Sequence, residues 1–360
     1  MSDKVRIGII GTGGIAGAHT NSYQQLPQVE VVGLCDIVPG KAARFGQRRG
    51  FPQAKCYENH RDMIADLKLD GVSVCTYNTQ HAQPAIDCLL DGINVLCEKP
   101  MCVTLADAIR MAQAAKKSGK ILTIGFQPRY DPNMRYLKEI VQSGALGKVY
   151  YISTGSGRRR GIPGGTFINK ETAGFGAIAD IGCYALDMAM NTLGYPKPLT
   201  VTAVSSNYFG TNPKHAQSWK PAEFEVEDFG AAFVRLEGDT ILSFTTSWAM
   251  NMDSMGPAIF LGTEAGLKAL NSSSGAWDGN IDSMTLFHEV LGGQSQSPVA
   301  MRGRGPDLFV AKVRDFVECI QKDRPAPIPG AQIVRSQAII DGILRSAASK
   351  CEVAIEIPEF

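Results

Sequence analysis

The sequence predicts an α/β protein with two domains: a doubly wound parallel sheet, then an α+β domain with a mostly antiparallel sheet. Three observations support this prediction. The first 126 residues alternate short apolar runs with helical patterns, as βαβ units do. Later apolar runs are longer, and Glu237-Gly238-Asp239-Thr240 has the composition of a hairpin turn. A length of 360 residues suits two domains of about 100–200 residues, which we place at 1–126 and 127–360.

Five apolar runs in the first domain are predicted strands, because strands covered on both faces read as near-continuous apolar runs. They are Val5–Gly11, Val29–Asp36, Gly71–Thr76, Asn94–Glu98 and Ile121–Phe126. Five predicted helices lie near residues 15–26, 41–49, 59–68, 82–91 and 105–118. Thr104 is placed to cap the last helix, and Gly119 follows its end. Right-handed crossovers between such elements give a doubly wound sheet.

The second domain has a different pattern. Its predicted strands are Lys148–Gly157, Thr200–Tyr208, Phe229–Glu237, Thr240–Ala249 and Ile259–Leu261. Its predicted helices are Ile181–Leu193, 307–321 and 332–348. Three glycine-rich or polar segments, 161–179, 211–226 and 271–283, are predicted to be long loops. Loops of this length in compact domains often border a functional site.

Composition excludes several classes of partner. The chain has 36 Lys and Arg residues against 35 Asp and Glu residues, so no basic surface for nucleic acid is predicted. No apolar stretch approaches the roughly 20 residues that cross a membrane, and no signal peptide is evident. The nine cysteines include no Cys-x-x-Cys pair, which favours reduced thiols over disulfides or a zinc site. We therefore expect a cytoplasmic enzyme without metal, nucleic-acid or membrane partners.

A glycine-rich turn follows the first predicted strand. In Gly11-Thr12-Gly13-Gly14-Ile15-Ala16, Gly11 permits a tight turn and Gly13 lets the backbone approach a pyrophosphate. A βα turn without a ligand is the alternative, but the position between strand and helix favours a dinucleotide site. We expect the cofactor to contact Gly11, Gly13, Gly14 and Ile15.

An acidic residue, Asp36, ends the second predicted strand about twenty residues beyond the turn. Its carboxylate is placed to accept hydrogen bonds from an adenosine ribose and to repel a 2′-phosphate. Ile37 stands where an arginine would neutralise such a phosphate, so the sequence favours NAD over NADP. Lys41 or Arg44 is close enough in sequence to reach the same region.

Polar residues also follow the third, fourth and fifth predicted strands, and ligands of open α/β sheets bind at that edge. The fourth strand runs into Cys97-Glu98-Lys99-Pro100, which places Lys99 beside the nicotinamide. An exposed Glu98–Lys99 ion pair is the alternative, and His81 alone is more typical of a helix start. The residues expected to line the cofactor crevice at this edge are Thr76, Asn78, His81, Glu98, Lys99 and Gln127.

Together these segments resemble the Gfo/Idh/MocA oxidoreductase family. The resemblance rests on the glycine-rich turn, Glu98-Lys99-Pro100 and Gly125-Phe126-Gln127-Pro128-Arg129-Tyr130, and continues more loosely through Asp180–Tyr184. It implies a Rossmann domain joined to an open-faced sheet domain, and hydride transfer between a sugar or polyol carbon and a nicotinamide. It also implies a homo-oligomer, which we expect to be a homodimer or homotetramer.

The resemblance further implies that Lys99, Asp180 and Tyr184 are catalytic, with Tyr184 standing where many members have histidine. Oxidation of a secondary alcohol needs a base, and a tyrosine of reference pKa about 10 becomes one when a lysine cation favours phenolate. Asp180 and Tyr184 are four residues apart, so we expect them on one face of a helix, where Asp180 caps it or orients Lys99. A capping aspartate and a core tyrosine are the alternative.

The residues expected to contact the substrate are Lys99, Arg129, Arg159, Asp180 and Tyr184. A solvated basic edge is the alternative for the run at 158–160, and Trp219 and Trp248 are candidates for an apolar platform under a sugar ring. The leading prediction is an NAD-dependent dehydrogenase of a sugar, glycoside or cyclic polyol. A redox-neutral glycosidase or lyase, which oxidises its sugar transiently, would use the same motifs. A nucleotide-sensing regulator without catalysis is less favoured.

Overall fold

The computed structural model describes residues 4–271, 281–303 and 305–359. They divide into two compact units. The first contains the chain up to Phe126 together with Pro306–Val334, and the second contains Gln127–Gly305 together with Arg335–Glu359. The structure therefore differs from a single division at residue 126, because a C-terminal segment returns to the first unit.

The first unit is built on a six-stranded parallel sheet. Its strands are β1 (Val5–Ile10), β2 (Val29–Cys35), β3 (Lys55–Tyr57), β4 (Gly71–Val74), β5 (Asn94–Cys97) and β6 (Leu122–Ile124). The order β3-β2-β1-β4-β5-β6 reverses at β1, which confirms the predicted Rossmann topology. Strand β3 lies outside the predicted runs, because Lys55 and Cys56 are exposed and give this short edge strand no apolar pattern.

Helices follow the strands of this sheet at the predicted positions. They are α1 (Gly14–Tyr23), α2 (Lys41–Arg49), α3 (His60–Asp66), α4 (Ala82–Leu90) and α5 (Leu105–Ser118). Helix α5 shows the expected cap, since the hydroxyl of Thr104 accepts a hydrogen bond from the Asp107 N–H at 3.1 Å. Gly119 ends the helix in the left-handed conformation.

The second unit is built on a nine-stranded sheet of order β14-β13-β12-β11-β7-β10-β9-β8-β15. Its strands are β7 (Val149–Gly157), β8 (Pro198–Ser206), β9 (Phe229–Leu236), β10 (Thr240–Ser247), β11 (Ala258–Gly262), β12 (Gly266–Leu270), β13 (Ser283–Val290), β14 (Gly293–Pro298) and β15 (Val353–Ala354). Strands β7 and β10 are parallel, and the other neighbouring pairs are antiparallel. The mostly antiparallel sheet is thus confirmed, and the hairpin between β9 and β10 turns at Gly238 and Asp239, both with positive φ.

The two faces of this sheet differ. Helices of the second unit are α6 (Pro132–Gln142), α7 (Lys170–Ala173), α8 (Ala177–Asp180), α9 (Gly182–Thr192) and most of α11 (Gly330–Ser349). Helix α9 packs on β7 and β10 and covers the face that carries Ile152, Leu242 and Phe244. The opposite face exposes apolar side chains, which include Val204, Phe233, Leu261 and Phe287. Strict alternation along the strands explains the division.

Two of the predicted long loops contain ordered structure. Segment 161–179 contains α7 and part of α8, and it packs with segment 211–226 around a cluster that includes Trp219, Phe224 and Trp248. The third predicted loop, 271–283, lies for most of its length outside the described residues. The strands at 266–270, 283–290 and 293–298 were absent from the prediction, because the last two carry mainly polar or half-exposed side chains.

The returning segment contains α10 (Leu308–Lys322) and the start of α11 (Gly330–Ser349). Helix α10 buries Val313, Phe316 and Val317 in the core of the first unit, a spacing that places them on one helix face. Gly71 on β4 leaves room for this helix, since a Cβ atom there would lie 3.0 Å from Cζ of Phe316. The helix belongs to the first unit because its apolar face completes that core.

No helix in the described ranges is long and apolar enough to span a bilayer.

Candidate active site

The glycine-rich turn between β1 and α1 has the geometry of a phosphate cradle. Gly11 has a φ of +88°, and a Cβ atom there would lie 2.6 Å from the carbonyl oxygen of Cys75, so only glycine fits. A Cβ atom on Gly13 or Gly14 would meet nothing within 4 Å. These two glycines therefore leave open space at the N-terminus of α1, where backbone N–H groups favour an anion. The site fits the pyrophosphate of a dinucleotide.

Asp36 lies at the end of β2 and is tied to this turn. Its Oδ2 atom accepts hydrogen bonds from the N–H and the hydroxyl of Thr12, at 2.9 and 2.7 Å, and pairs with Nζ of Lys41 at 2.9 Å. Burial raises the pKa of this carboxyl, but the Lys41 and Thr12 hydrogen bonds outweigh burial and hold the pKa below its ordinary value. A fixed negative charge therefore stands beside the turn.

Lys99 follows β5 and begins a cis Lys99–Pro100 peptide. Its N–H donates to Oε2 of Glu98 at 3.2 Å. The alternative of an exposed Glu98–Lys99 ion pair is wrong, because Glu98 is 4% exposed and its Oε1 pairs with Lys312 and His19, at 2.5 and 2.8 Å. The Glu98 carboxylate thus makes contacts inside the first unit, and its expected contact with the cofactor stays a prediction.

His81 and Thr76 also make contacts within the first unit. His81 is 1% exposed, and its Nδ1 hydrogen-bonds to the carbonyl oxygen of Pro100 at 2.8 Å. Burial lowers the pKa of His81, so the imidazole is neutral and Nδ1 is the donor. The hydroxyl of Thr76 donates to the Gln80 carbonyl at 2.8 Å. The His81 side chain therefore contacts the Lys99–Pro100 segment, and its expected contact with the cofactor stays a prediction.

Asp180 and Tyr184 lie in the second unit, on two consecutive helices. Asp180 ends α8 and Tyr184 belongs to α9, so the expectation that they share one face of a single helix is wrong. Gly182, which starts α9, packs closely on the sheet: a Cβ atom there would lie 2.7 Å from Cζ of Phe244. This close packing sets where α9 begins and separates it from α8.

Each of these two side chains has a polar partner. Oδ2 of Asp180 accepts a hydrogen bond from the indole N–H of Trp248 at 2.9 Å. The hydroxyl of Tyr184 accepts one from Nε2 of Gln127 at 3.1 Å. Trp248 is fully buried and Trp219 donates to the carbonyl of Gly210, so the sugar-platform role considered for these tryptophans is wrong. Trp248 instead orients the Asp180 carboxylate.

Gln127 carries an unsatisfied polar atom. The residue is 5% exposed, and within the described ranges its Oε1 has no hydrogen-bond partner. A buried carbonyl oxygen without a donor costs free energy unless a ligand or water satisfies it. Oε1 of Gln127 is thus a hydrogen-bond acceptor next to the Tyr184 hydroxyl.

The two candidate arginines differ in their surroundings. Both Nε and Nη2 of Arg129 donate to the Asp187 carboxylate, at 2.9 and 2.6 Å, and its side chain is 10% exposed. This bidentate ion pair orients the guanidinium, and the substrate contact expected for Arg129 stays a prediction. Arg159 is exposed, and its neighbour Arg160 donates to the Met250 carbonyl and to Oδ1 of Asn251, both at 2.9 Å.

A glutamate missed in the sequence lies beside Asp180. Oε1 of Glu227 accepts hydrogen bonds from the N–H groups of Gly176 and Ile178, at 2.8 and 3.1 Å, at the start of α8. Burial raises the pKa of Glu227 to about 7, and the charge of Asp228 acts in the same direction. Its sequence signal is absent, because a lone glutamate at the end of a polar segment looks like a solvated residue.

Comparisons with known proteins agree with this geometry. Residues 5–126 match the model of the GFO/IDH/MocA oxidoreductase family with its NAD-binding Rossmann fold, and residues 134–268 match that of a GFO/IDH/MocA C-terminal domain. A curated relative, D-glucoside 3-dehydrogenase of Escherichia coli K12, is 34% identical over 296 residues, which cover 81% of this chain and 84% of that protein. The myo-inositol 2-dehydrogenase of Thermotoga maritima is 32% identical over 41% of this chain and 44% of its own.

Solved structures show the same fold. An aldose-aldose oxidoreductase from Caulobacter crescentus, complexed with glycerol, has a TM-score of 0.78 and 25% identity, covering 98% of this chain and 99% of that chain. A levoglucosan dehydrogenase in complex with NADH has a TM-score of 0.80 and 20% identity, covering 98% of this chain and all of that chain.

Proposed function

Because this chain belongs to the Gfo/Idh/MocA family of NAD-binding oxidoreductases, which act on sugars and polyols, we propose that it oxidises a ring hydroxyl of a D-glucoside. The observation that carries the proposal is the similarity to D-glucoside 3-dehydrogenase along 84% of that protein. The similarity to inositol dehydrogenases covers less than half of this chain. The hydroxyl on C3 of the sugar is therefore the proposed site of oxidation.

The first unit holds the cofactor in this proposal. Gly11, Gly13, Gly14 and Ile15 would take the pyrophosphate, and Asp36 the adenosine ribose. The residues proposed to line the nicotinamide half are Thr76, Asn78, Lys99 and Gln127. When bound, NAD accepts the hydride that leaves the sugar carbon. Lys41 pairs with Asp36, so this lysine is engaged and does not supply a free cation for a 2′-phosphate.

The chain's own task is to manage the hydroxyl proton. We assign the proton-carrying role to Tyr184 and the role of a positive charge beside the developing alkoxide to Lys99. The hydrogen bond from Gln127 favours the phenolate form of Tyr184, because the phenol oxygen is the acceptor. Asp180, held by Trp248, is placed to accept a hydrogen bond from a neighbouring sugar hydroxyl.

Two further groups, the Gln127 side-chain carbonyl and the Arg159 guanidinium, are suited to a polyhydroxylated substrate. Oε1 of Gln127 needs a donor, and a sugar hydroxyl supplies one. Arg159 is exposed after β7 and is proposed to hydrogen-bond the sugar from the rim of the site. The proposed substrate residues are therefore Lys99, Gln127, Arg159, Asp180 and Tyr184.

Measurement of NADH formation with a panel of sugars tests this function. The panel contains methyl D-glucosides, free D-glucose, levoglucosan and myo-inositol, each assayed with NAD and with NADP. We expect the highest kcat/KM with a glucoside and NAD, and a ketone at C3 of the product. A higher kcat/KM for myo-inositol would contradict the proposal. Cleavage of a glucoside without net NADH would instead support the redox-neutral alternative.

The exposed sheet face supports a proposal about assembly. Phe233, Leu261 and Phe287 are 43%, 36% and 36% exposed on the face opposite α9. Such a patch is typical of a surface that pairs with a second copy of the chain, and we propose a homodimer or homotetramer formed through it. Light scattering after size exclusion tests this. The wild type is expected to be oligomeric and Phe233→Asp monomeric; a monomeric wild type would contradict the proposal.

The cytoplasmic location also stays a prediction, which cell fractionation tests.

A further inference from the structure

A buried polar network lies within the first unit and joins four of its elements. Nζ of Lys312, on α10, donates to Oε1 of Glu98, which follows β5, at 2.5 Å. The same oxygen lies 2.8 Å from Nε2 of His19, on α1. Nδ1 of His19 lies 3.0 Å from the hydroxyl of Ser73, on β4, which hydrogen-bonds to the hydroxyl of Tyr23 on α1 at 2.8 Å. All five side chains are 5% exposed or less.

One protonation pattern satisfies Glu98, Ser73 and Tyr23, and Nζ of Lys312 then lies 3.2 Å from an Nε2 atom that is itself a donor. If the imidazole of His19 is neutral and carries its proton on Nε2, it donates to Glu98 and accepts from Ser73, which in turn accepts from Tyr23. Burial lowers the pKa of His19, and the nearby cation of Lys312 lowers it further, so the neutral form is favoured. Burial raises the pKa of Glu98, but the attraction of Lys312 and the His19 hydrogen bond outweigh burial and hold it well below its ordinary value. The network therefore contains one carboxylate that stays ionised.

The fold leaves space for this network. Gly125, after β6, faces the carboxylate, and a Cβ atom there would lie 2.7 Å from Oε1 of Glu98. Lys312 also lies over the ring of Phe309, with Nζ 4.7 Å from the centroid. Isolated buried ion pairs seldom add stability over apolar residues of the same volume. A role beyond packing is therefore needed to explain why the Lys312–Glu98 ion pair is buried in the first unit.

Two contacts give that role. The second oxygen of the same carboxylate, Oε2, accepts a hydrogen bond from the N–H of Lys99. The contacts that Lys312 and His19 make with Glu98 therefore also fix the backbone from which the Lys99 side chain extends. At the other end, His19 and Tyr23 belong to the helix whose N-terminus forms the phosphate cradle. We infer that Lys312, Glu98 and His19 are positioning residues that hold the Lys99 backbone in register with the phosphate-binding helix. The inference rests on the proposed role of Lys99 and assigns a function to a residue of the C-terminal segment.

The central test compares three variants. Lys312→Met removes the ammonium while keeping a side chain of similar length. Lys312→Met combined with Glu98→Gln removes both charges, so no buried ion is left unpaired and the fold is expected to recover. Arg324→Met is the control, because it removes a cation that lies just beyond the C-terminal end of α10 and pairs with Asp315 and Glu318 of that helix.

We expect Lys312→Met to lower kcat about 10–100-fold, since a small displacement of a catalytic group has an effect of this size. In the double variant the melting temperature returns towards the wild-type value while kcat stays at least about tenfold low. The isotope effect on kcat with C3-deuterated glucoside rises in both variants, because a displaced Lys99 slows the hydride step. Arg324→Met leaves all three quantities unchanged. A double variant with wild-type kcat and isotope effect would overturn the inference.

A fluorescence titration with NAD alone separates this inference from the proposed function. Because His19 links the network to α1, Lys312→Met and the double variant are both expected to weaken NAD binding about 3–10-fold. Arg324→Met should bind NAD as the wild type does. If the wild type oxidises no sugar, the proposed function fails, and this titration still tests the link to α1. Unchanged NAD affinity in the double variant would overturn that link.

Discussion

The two units hold a glutamate, buried in the first and half-buried in the second, in opposite ways. In the first unit Glu98 pairs with Lys312, and its pKa lies well below the ordinary value despite burial. In the second unit Glu227 accepts only backbone N–H groups among its hydrogen bonds described here, and burial raises its pKa to about 7. Burial acts on both carboxyls in the same direction, so the presence of a cation decides the sign of the shift.

The opposite pKa shifts of the two glutamates match a difference between the two units in the proposed chemistry. Around Lys99 the charges stay fixed over the working pH range, because the Asp36 and Glu98 carboxyls both have lowered pKa values. Around Asp180 and Tyr184 the helix start is held by a group that titrates near neutral pH. In the proposed mechanism the first unit thus supplies constant charge, and Tyr184 of the second unit carries the proton.

The largest expected effect concerns the fixed charge of the first unit. Lys99→Met should abolish sugar oxidation at every pH, because no cation then stabilises the alkoxide. NAD affinity, measured by fluorescence titration, should stay close to that of the wild type. Lys116→Met, an exposed lysine on α5, serves as the control. Normal turnover in Lys99→Met would remove Lys99 from the mechanism and end the proposed contrast between the units.

Next in size is the loss of the proton carrier in the second unit. Tyr184→Phe should lower kcat about 10²–10⁴-fold, since the phenol hydroxyl is lost while the ring still packs in α9. Tyr208→Phe, at a tyrosine that is 78% exposed, should leave kcat unchanged. Steady-state kinetics over a range of pH measures both variants. A loss below about tenfold in Tyr184→Phe would return this tyrosine to a packing role.

A smaller effect is expected at Asp36, where the first unit sets the choice of cofactor. Asp36→Asn can still accept the hydrogen bonds of Thr12 through its amide oxygen but removes the charge that opposes a 2′-phosphate. We expect the ratio of kcat/KM for NAD to that for NADP to fall about 10–100-fold, as for the loss of a charged hydrogen bond. Lys41 is then available to the phosphate, so Asp36→Asn with Lys41→Ala should show a lower NADP activity than Asp36→Asn alone. An unchanged ratio would contradict the assignment.

The smallest effect is a pH-dependent change in stability at Glu227. The folded form of this carboxyl holds its proton up to about pH 7, whereas the unfolded form releases it near its ordinary pKa of 4.5. Stability therefore decreases as pH rises from 4.5 to 7, and the loss persists above 7. Glu227→Gln should melt a few degrees above the wild type at pH 8, since about 1 kcal/mol shifts a domain of this size by about 2–4 °C.

At pH 4.5 the difference between Glu227→Gln and the wild type should be small, because the carboxyl is then protonated in the folded form and half protonated in the unfolded form. Thermal melts at both pH values measure it. Glu223→Gln, in the same loop but exposed, is the control and should show no such pH dependence. An equal gain at both pH values would mean that packing, and not titration, distinguishes Glu227.

The sequence contained enough local information for most of the first unit. The turn at Gly11, the strand Val29–Cys35 and the acid that follows it are neighbours in the chain, and apolar runs mark buried parallel strands directly. The helix cap at Thr104 could likewise be predicted from the local sequence. Elements with exposed or polar residues, such as β3 and β14, left no pattern to find.

The partners of the site residues could not be predicted from the sequence, because they come from distant segments. Lys312 lies on an otherwise amphipathic helix, where a lysine normally marks the solvated face, yet it pairs with a glutamate 214 positions earlier. Arg129 was expected to contact substrate, but Asp187 holds it in a bidentate pair 58 positions away. A sequence shows which groups carry charge, whereas only the fold shows which charges neutralise each other.

The separation of Lys312 and Glu98 along the sequence also matters for biosynthesis. A ribosome that adds about 5–20 residues per second needs about 10–40 s to travel from codon 98 to codon 312. Throughout that interval the nascent first unit lacks α10, so its carboxylate has no ammonium partner and its apolar core stays partly open. Truncated products that end before residue 306 therefore contain every motif of a dinucleotide-binding domain without being able to complete one.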